Sequence, residues 1–366
     1  MKRSNVRARI RQLCCLGLPA ELLVGPLLAA LRDLVPGDSA AFFWVDGRGG
    51  MTNLYAERIL PPEWMAHYFE RYYEAAGASF RKAFRERAAA PEGVVASTAD
   101  AKLRRTGYYN EILRRLDAHH VLYGIARVDA APLGQVSLYR PRAAPAFGAR
   151  ERADLASVMR YVSHGVAMGR GLPRSELALR DAEEEAMLVV DRAGRIVHGS
   201  ERARRLLFLA THPEIGPASV GGRRTDRAAQ ALRALCARLE AIERGEESAA
   251  PSITLDARWG RHVMRAYWLD DDRSSRAALV GVRIQRREPM ILGFVEAMGR
   301  LALSPQQREI ALLIAQGRSN PEIAEGLGVS GNTVAYHVKQ LFLKLDVHDR
   351  AGAVERIASG AAEARA

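Results

Sequence analysis

The reading of the C-terminal part turns on one stretch, "SNPEIAEGLGVSGNTVAYHVKQLFLKL" (Ser319–Leu345). Two helical patterns are separated at Gly328 by a short turn. In the first, Ser319 or Asn320 stands at the cap, Pro321 opens the helix, and Ile323, Ala324 and Leu327 supply the packing face. Ser330 caps the second. At about 100° per residue, Val334, Val338, Leu341 and Leu345 fall on one narrow stripe, which predicts a buried seam. Asn332, Tyr336, Lys339 and Leu343 then point the other way, flanked by Ala335 and Gln340. A helix held on one side and free on the other fits the DNA major groove, about 12 Å wide. Free amides at the helix starts, near Asn320 and Gly331–Thr333, are placed to attract phosphate.

The flanking segments extend the pattern. "LSPQQREIALLIAQG" (Leu303–Gly317) opens with Ser304, Pro305 and Gln307, a complete capping box, and carries Ile310, Leu313 and Ile314 on one face. "RAGAVERIASG" (Arg350–Gly360) offers Ala353, Val354 and Ile357 as a pairing face. Leu303–Val354 resembles the LuxR-type helix-turn-helix of bacterial transcription regulators. The matching residues include Leu303-Ser304, Arg308-Glu309, Asn320-Pro-Glu-Ile-Ala, Val329-Ser330, Thr333-Val334, His337-Val338, Lys344-Leu-Asp-Val and Asp349-Arg350. The resemblance implies a four-helix domain that binds double-stranded DNA as a homodimer, with its third helix in the major groove. It puts Thr333, Ala335, Tyr336 and Lys339 where the family reads bases or adjacent phosphates. Asn320, Lys344 and Arg350 fall at backbone-contact or supporting positions. Ala335 departs from the family's usual lysine, and alanine can touch a thymine methyl but cannot bond to guanine.

Upstream, two blocks read as α+β. In the first, Asp38–Glu57 is a hairpin around a Gly-rich turn. Helical patterns follow, then the strands "HHVLYGIARVDA" and "GQVSLYRP", and a long amphipathic helix after Phe147. The second contains "MLVVDRAGRIVHGSERARRLL" (Met187–Leu207), two helical segments and three later strands. Five strands with helices between the second and third predict an antiparallel sheet. The second block resembles a PAS domain and the first a GAF-like sensor. The expected architecture is therefore multidomain: α+β sensor domains over 1–170 and 183–288, a hinge within Arg170–Arg180, and an all-α helix-turn-helix over 301–366. The early aromatics Phe42, Trp44, Tyr55, Trp64 and Tyr123 are the candidate lining of a pocket for a small-molecule effector.

Composition narrows the function. The formal charge is +12, yet Leu301–Ala366 holds seven Lys or Arg against seven Asp or Glu, so net charge is a weak pointer to nucleic acid. Cys14, Cys15 and Cys236 form no metal spacing or even disulfide set, which fits a reducing cytoplasm. The basic, apolar N-terminus is interrupted by Glu21, Pro19 and Pro26, and no run approaches the roughly 20 apolar residues of a membrane span. No Gly-Lys-Ser/Thr phosphate loop, zinc spacing or Ser/His/Asp motif calls for a cofactor or for catalysis. The function expected is a DNA-binding transcriptional regulator. A signalling adaptor, or an enzyme with an unrecognised site, is the alternative.

Overall fold

The computed structural model describes residues 3–74, 77–90, 92–129, 131–169, 177–217, 219–220, 227–269 and 278–363. The expected hinge lies mostly outside them, at 170–176. Helices α1 (Arg3–Cys14) and α2 (Ala20–Leu34) precede the first sheet. Pro26, expected to break the apolar run, sits inside α2, whose Leu23, Leu27, Leu28 and Leu31 are all buried. Tertiary burial on that scale overrides the local cost of a mid-helix proline.

The first sheet comprises β1 (Ser39–Val45), β2 (Met51–Ala56), β3 (Val94–Thr98), β4 (His120–Val128) and β5 (Ala131–Arg140), in the order β2-β1-β5-β4-β3, antiparallel throughout. Asp46 closes the first hairpin by accepting from the Arg48 and Gly50 amides, each at 2.8 Å. On one face, α5 (Ala149–Met168) packs so closely over β4 that a Cβ on Gly124 would meet Met159 Sδ at 2.7 Å. The other face is covered by α3 (Pro62–His67), α4 (Gly77–Ala88) and two π-helical segments, Tyr68–Glu74 and Tyr108–Leu113.

The second sheet comprises β6 (Leu179–Asp191), β7 (Ile196–Gly199), β8 (Ser252–Ala257), β9 (Gly260–Trp268) and β10 (Leu279–Pro289), in the order β7-β6-β10-β9-β8. The five strands expected in this block are present. Helices α6 (Glu201–Thr211) and α7 (Arg227–Glu243) lie on one face. Helix α6 is buried on two sides. Leu206 and Leu207 belong to the core of the second sheet, whereas Phe208 and Leu209 belong to the core that runs through the first block.

Trp259, in the β8–β9 turn, is fully buried and fixes the junction of the two blocks. Its ring lies 6.0 Å from that of Trp44 and 5.4 Å from that of Tyr55, and its indole N–H donates to the His212 carbonyl at 2.8 Å. Beside it, Arg205 donates to the Tyr55 hydroxyl at 2.5 Å and pairs with Glu184 at 2.9 Å. Arg286 also approaches Glu184, at 2.8 Å. Burial alone would raise the Glu184 pKa, but the two guanidinium groups hold it down at about 2. His262, paired across the strands with Arg286, is fully buried, and neither ring nitrogen has a partner in hydrogen-bonding geometry. Burial, reinforced by the Arg286 charge, pushes its pKa down to about 4 from an ordinary 6.5.

The continuation from β10 is direct. Pro289 ends the strand and α8 (Met290–Arg300) begins at the next residue. Four more helices follow: α9 (Pro305–Ala315), α10 (Asn320–Leu327), α11 (Gly331–Leu345) and α12 (Arg350–Glu363). No helix of the described residues is long and apolar enough to cross a membrane.

The His262 environment sets an acid limit. An imidazole held neutral in the fold stabilises it fully above pH 6.5, and that contribution is lost as pH falls from 6.5 towards 4. The expected loss is about 3 kcal/mol over that window. Urea titrations from pH 7.5 to 4.5 should show this limb in the native sequence. In His262→Leu most of it should vanish, leaving the smaller part from buried His119, whose pKa is lowered in the same direction. An unchanged slope in the variant would place the acid sensitivity elsewhere.

Candidate nucleic-acid interface

Caps set the four C-terminal helices. Ser304 Oγ accepts from the Gln307 amide at 3.2 Å, and Gln307 Oε1 accepts from the Ser304 amide at 2.9 Å. Ser319, rather than Asn320, caps α10, and Gly328 ends it in the left-handed conformation at φ +64°. Ser330 Oγ accepts from the Thr333 amide at 3.1 Å and starts α11. The buried residues of α11 are Val334, Val338, Leu341 and Leu345, the seam expected from periodicity. They pack against α9 and α10.

Opposite the seam, Asn332, Ala335, Tyr336, Lys339 and Leu343 are exposed, Tyr336 by 59% and Leu343 by 64%. Lys339 forms no ion pair among the described residues. Thr333 is half-buried, and its hydroxyl is 2.8 Å from that of Ser330, so it serves the cap. A shallow groove runs beside α11, lined by Asn320, Ala335, Lys339, Leu343 and His348 among others. His348 lies in the turn after α11, where helical periodicity gives no signal. Only the side-by-side placement of that turn and α10 brings it to the groove.

Three of the residues expected at or behind the interface are engaged internally. Lys344 Nζ donates to Gln307 Oε1 at 2.9 Å and to the Ala302 carbonyl at 3.2 Å. It therefore ties the end of α11 to the start of α9. Arg350 donates to the Arg318 carbonyl at 2.5 Å and also to Asn320 Oδ1. These bonds lock the start of α12 against the start of α10. Lys344, Arg350 and Asn320 thus support the helices through these bonds, the second of the two roles expected for them.

The two helix starts also differ electrostatically. At α10 the Glu322 carboxylate accepts from the Ser319 amide at 2.7 Å and from its hydroxyl at 2.8 Å, which lowers its pKa. That charge already answers the positive end of the helix. The phosphate attraction expected near Asn320 is accordingly blunted. The first turn of α11 carries no acidic residue, and its Gly331 and Asn332 amides lack acceptors within the helix. Anion attraction is left to the start of α11.

The remaining expectations fare differently. Ala353 and Ile357, read as a pairing face, are each 1% exposed, and Val354 is half-buried. They are covered within the chain, because α12 packs on α8, α9 and α11. Arg11 of α1 adds an ion pair to Glu309 of α9 at 2.8 Å. The aromatics expected to line a pocket are not among the residues that line the cavity of the first block. Phe42, Trp44 and Tyr55 stand on the α5-covered face of the first sheet, where the Phe42 and Trp44 rings lie 4.7 Å apart and Trp44 and Tyr55 meet Trp259. Trp64 lies under the Arg115 guanidinium at 3.9 Å, and Tyr123 under that of Arg87 at 4.4 Å. The cavity of that block is lined instead by residues that include Ser39, Tyr68, Tyr108 and Tyr139.

The family model described as "Bacterial regulatory proteins, luxR family" matches residues 301–357. The probable transcriptional regulatory protein SgaR of Hyphomicrobium methylovorum is 45% identical over 53 residues, 14% of this chain and 25% of that protein. The probable transcriptional regulatory protein NarL of Mycobacterium tuberculosis is 50% identical over 52 residues, 14% of this chain and 24% of that protein. The chain thus matches about a quarter of the length of these relatives. Among solved structures, the GAF3 domain of Slr1393 from Synechocystis sp. PCC6803 aligns with 39% of this chain and 89% of its own, at 16% identity. Its TM-score of 0.29 is too low to assign the upstream fold. Two antiparallel sheets with their helices therefore precede a LuxR-family helix-turn-helix domain, formed by residues 301–357 at the C-terminal end of the chain.

Proposed function

We propose that the chain is a DNA-binding transcription regulator in which the blocks over 1–170 and 183–288 are sensor domains that control the domain over 301–366. The observation that carries this reading is the anchored helix α11, which presents Ala335, Tyr336 and Lys339 to solvent on a helix-turn-helix of a transcription-regulator family. In the proposed complex α11 enters the major groove. Tyr336 and Lys339 carry most of the base discrimination, Ala335 packs against a thymine methyl, and the Gly331–Asn332 amides receive a phosphate.

Binding as a homodimer to half-sites about one helical turn apart follows from the same reading. The pairing face then has to come from α12, whose apolar residues are covered by α8. Control consists of releasing that contact: the upstream blocks, through α1 and α8, hold α12 against the chain or let it go. A neutral domain of this kind gains little from long-range attraction, so doubling the contacts by pairing matters for affinity.

Selection of bound sequences from randomised duplex DNA by the full chain should yield an operator. Lys339→Ala should then weaken operator binding by about 5- to 150-fold, the equivalent of 1–3 kcal/mol, and relax preference at one position. Equal loss on every sequence with a shallower salt dependence would reassign Lys339 to a phosphate. Failure to enrich any sequence at low salt would sink the DNA-binding reading itself.

The hold on the domain is tested separately by charge reversal. Arg11→Glu replaces the ion pair to Glu309 with repulsion, and operator affinity measured by fluorescence anisotropy should rise by about 1.5- to 5-fold, as suits a partly exposed pair worth 0.2–1 kcal/mol. Adding Glu309→Arg should restore the original affinity. A rise that persists in the double variant would show that the pair is not what restrains the domain.

A further inference from the structure

Among the described residues outside the helix-turn-helix, the first block holds an unassigned cavity. It lies between the first sheet and its π-helical cover, on the face away from α5. It has about 70 Å³ in which the centre of a water molecule can move, within about 690 Å³ of unfilled space that includes its mouth. That is room for roughly five waters, or for one six-membered ring with a short substituent. The walls are chiefly apolar and include Leu54, Met65, Ile112 and Leu116.

Three polar groups stand out in this setting. The Tyr68 and Tyr108 hydroxyls make no hydrogen bond to any described residue, and neither does the hydroxyl of nearly buried Ser39. The neighbouring tyrosines behave differently. Tyr72 donates to Glu111 at 2.8 Å, Tyr73 accepts from the Met51 amide at 2.6 Å, and Tyr109 pairs with His119 at 2.7 Å. The tyrosines around the cavity are satisfied, as is Tyr139 in its wall, which bonds Ser137, whereas Tyr68 and Tyr108 are left open. Tyr68 and Tyr108 each begin one of the two π-helical segments, a rare geometry that often marks functional sites. Their rings lie 6.3 Å apart and only 28° from parallel. Burial raises both phenol pKa values, so these groups stay neutral donors. The cation at the rim, Arg58, is already paired with Asp117 at 2.5 Å, and no unpaired charge lines the space.

From this geometry we infer that the cavity is a binding site for a small uncharged molecule, about one ring in size, carrying a hydrogen-bond acceptor. The acceptor receives hydrogen bonds from the Tyr68 and Tyr108 hydroxyls, with Ser39 as a third polar contact, and the ring fills the space between the apolar walls. A charged ligand is disfavoured because nothing inside offsets its desolvation. Ile215, from the second block, also lines the cavity, and its amide donates to Asn53 of β2 at 2.9 Å. An occupant therefore touches both blocks. The site does not depend on the DNA-binding reading and survives its failure.

The test uses the full chain and three probes of similar shape: acetophenone, ethylbenzene and benzoate. Calorimetric titration should give acetophenone a Kd of about 1 mM or tighter, within reach of a ligand of this size, with ethylbenzene weaker and benzoate not bound. The double variant Tyr68→Phe, Tyr108→Phe keeps both rings. It should lose about tenfold in acetophenone affinity, with ethylbenzene unchanged. Ala41→Leu, which fills the cavity, should abolish binding of both, and thermal melts establish that each variant is folded. Equal binding of acetophenone by the native and double-variant chains would overturn the role of the hydroxyls. Absence of any binding by acetophenone and ethylbenzene, or binding that survives Ala41→Leu, would overturn the site.

Discussion

The seam of Val334, Val338, Leu341 and Leu345 fixes how α11 is rotated about its own axis. Each of these side chains gains about 1.5–3 kcal/mol from full burial, and a roll by a single residue, about 100°, would carry the seam into water. The helix is therefore clamped in azimuth before any ligand is considered. Exposure of Ala335, Tyr336 and Lys339 is the geometric remainder of that clamp. Gln307 extends it lengthwise, because one side-chain oxygen both completes the α9 capping box and accepts from Lys344 near the end of α11. The start of one helix and the end of another are held by the same atom.

Helix α8 plays the opposite part. It continues from β10 without a linker, touches α1, and carries α12 on its surface. The Arg308 guanidinium then holds the Leu301 and Leu303 carbonyls, at 2.9 and 3.1 Å, in the bend between α8 and α9. Gly293 keeps the first turn of α8 bare, and the Arg180 guanidinium lies over it while pairing with Glu288 at 2.6 Å. The second sheet is thus joined to α12 through packed helices rather than through a linker. In the proposed reading this separates two properties of the domain: the reading face is built in permanently, whereas the pairing face depends on where α8 sits.

The C-terminal helices were legible because their signals are local. Ser304 with Gln307, Ser319 with Glu322, Gly328 and Ser330 lie within a few residues of the helix ends they set. The second sheet was legible for the same reason, with Gly194 at φ +74° marking its first turn. The short, mostly half-buried or exposed strand Val94–Thr98 gave no such pattern, and the segments Tyr68–Glu74 and Tyr108–Leu113 read as helical without any sign of their π geometry. The covering of α12 by α8 is a contact between distant segments, invisible to any window of sequence. Of the aromatics expected at a pocket, Phe42, Trp44 and Tyr55 miss the cavity on parity. Both faces of the first sheet are covered, so β1 shows no alternation of apolar and polar residues, and nothing in "SAAFFWV" says which face Phe42 takes.

That parity has a consequence for how the first block works. Phe42 and Trp44 leave β1 on the face that meets Trp259 and the second block, whereas Ser39, Ala41 and Phe43 leave it towards the cavity. A single layer of backbone thus separates the cavity from the junction. Close packing transmits small displacements instead of absorbing them, so an occupant that pushes on Ala41 or Phe43 also acts on the seat of Trp259. The ion pairs beside that seat join Tyr55 to Arg205, Glu184 and Arg286, and Arg286 stands three residues before the strand gives way to α8. A buried charge network tolerates few arrangements, because parting one member leaves another unpaired at low dielectric. In the proposed reading, the route from cavity to α12 therefore runs through contacts that favour discrete positions over gradual ones, as a switch between two pairing states requires.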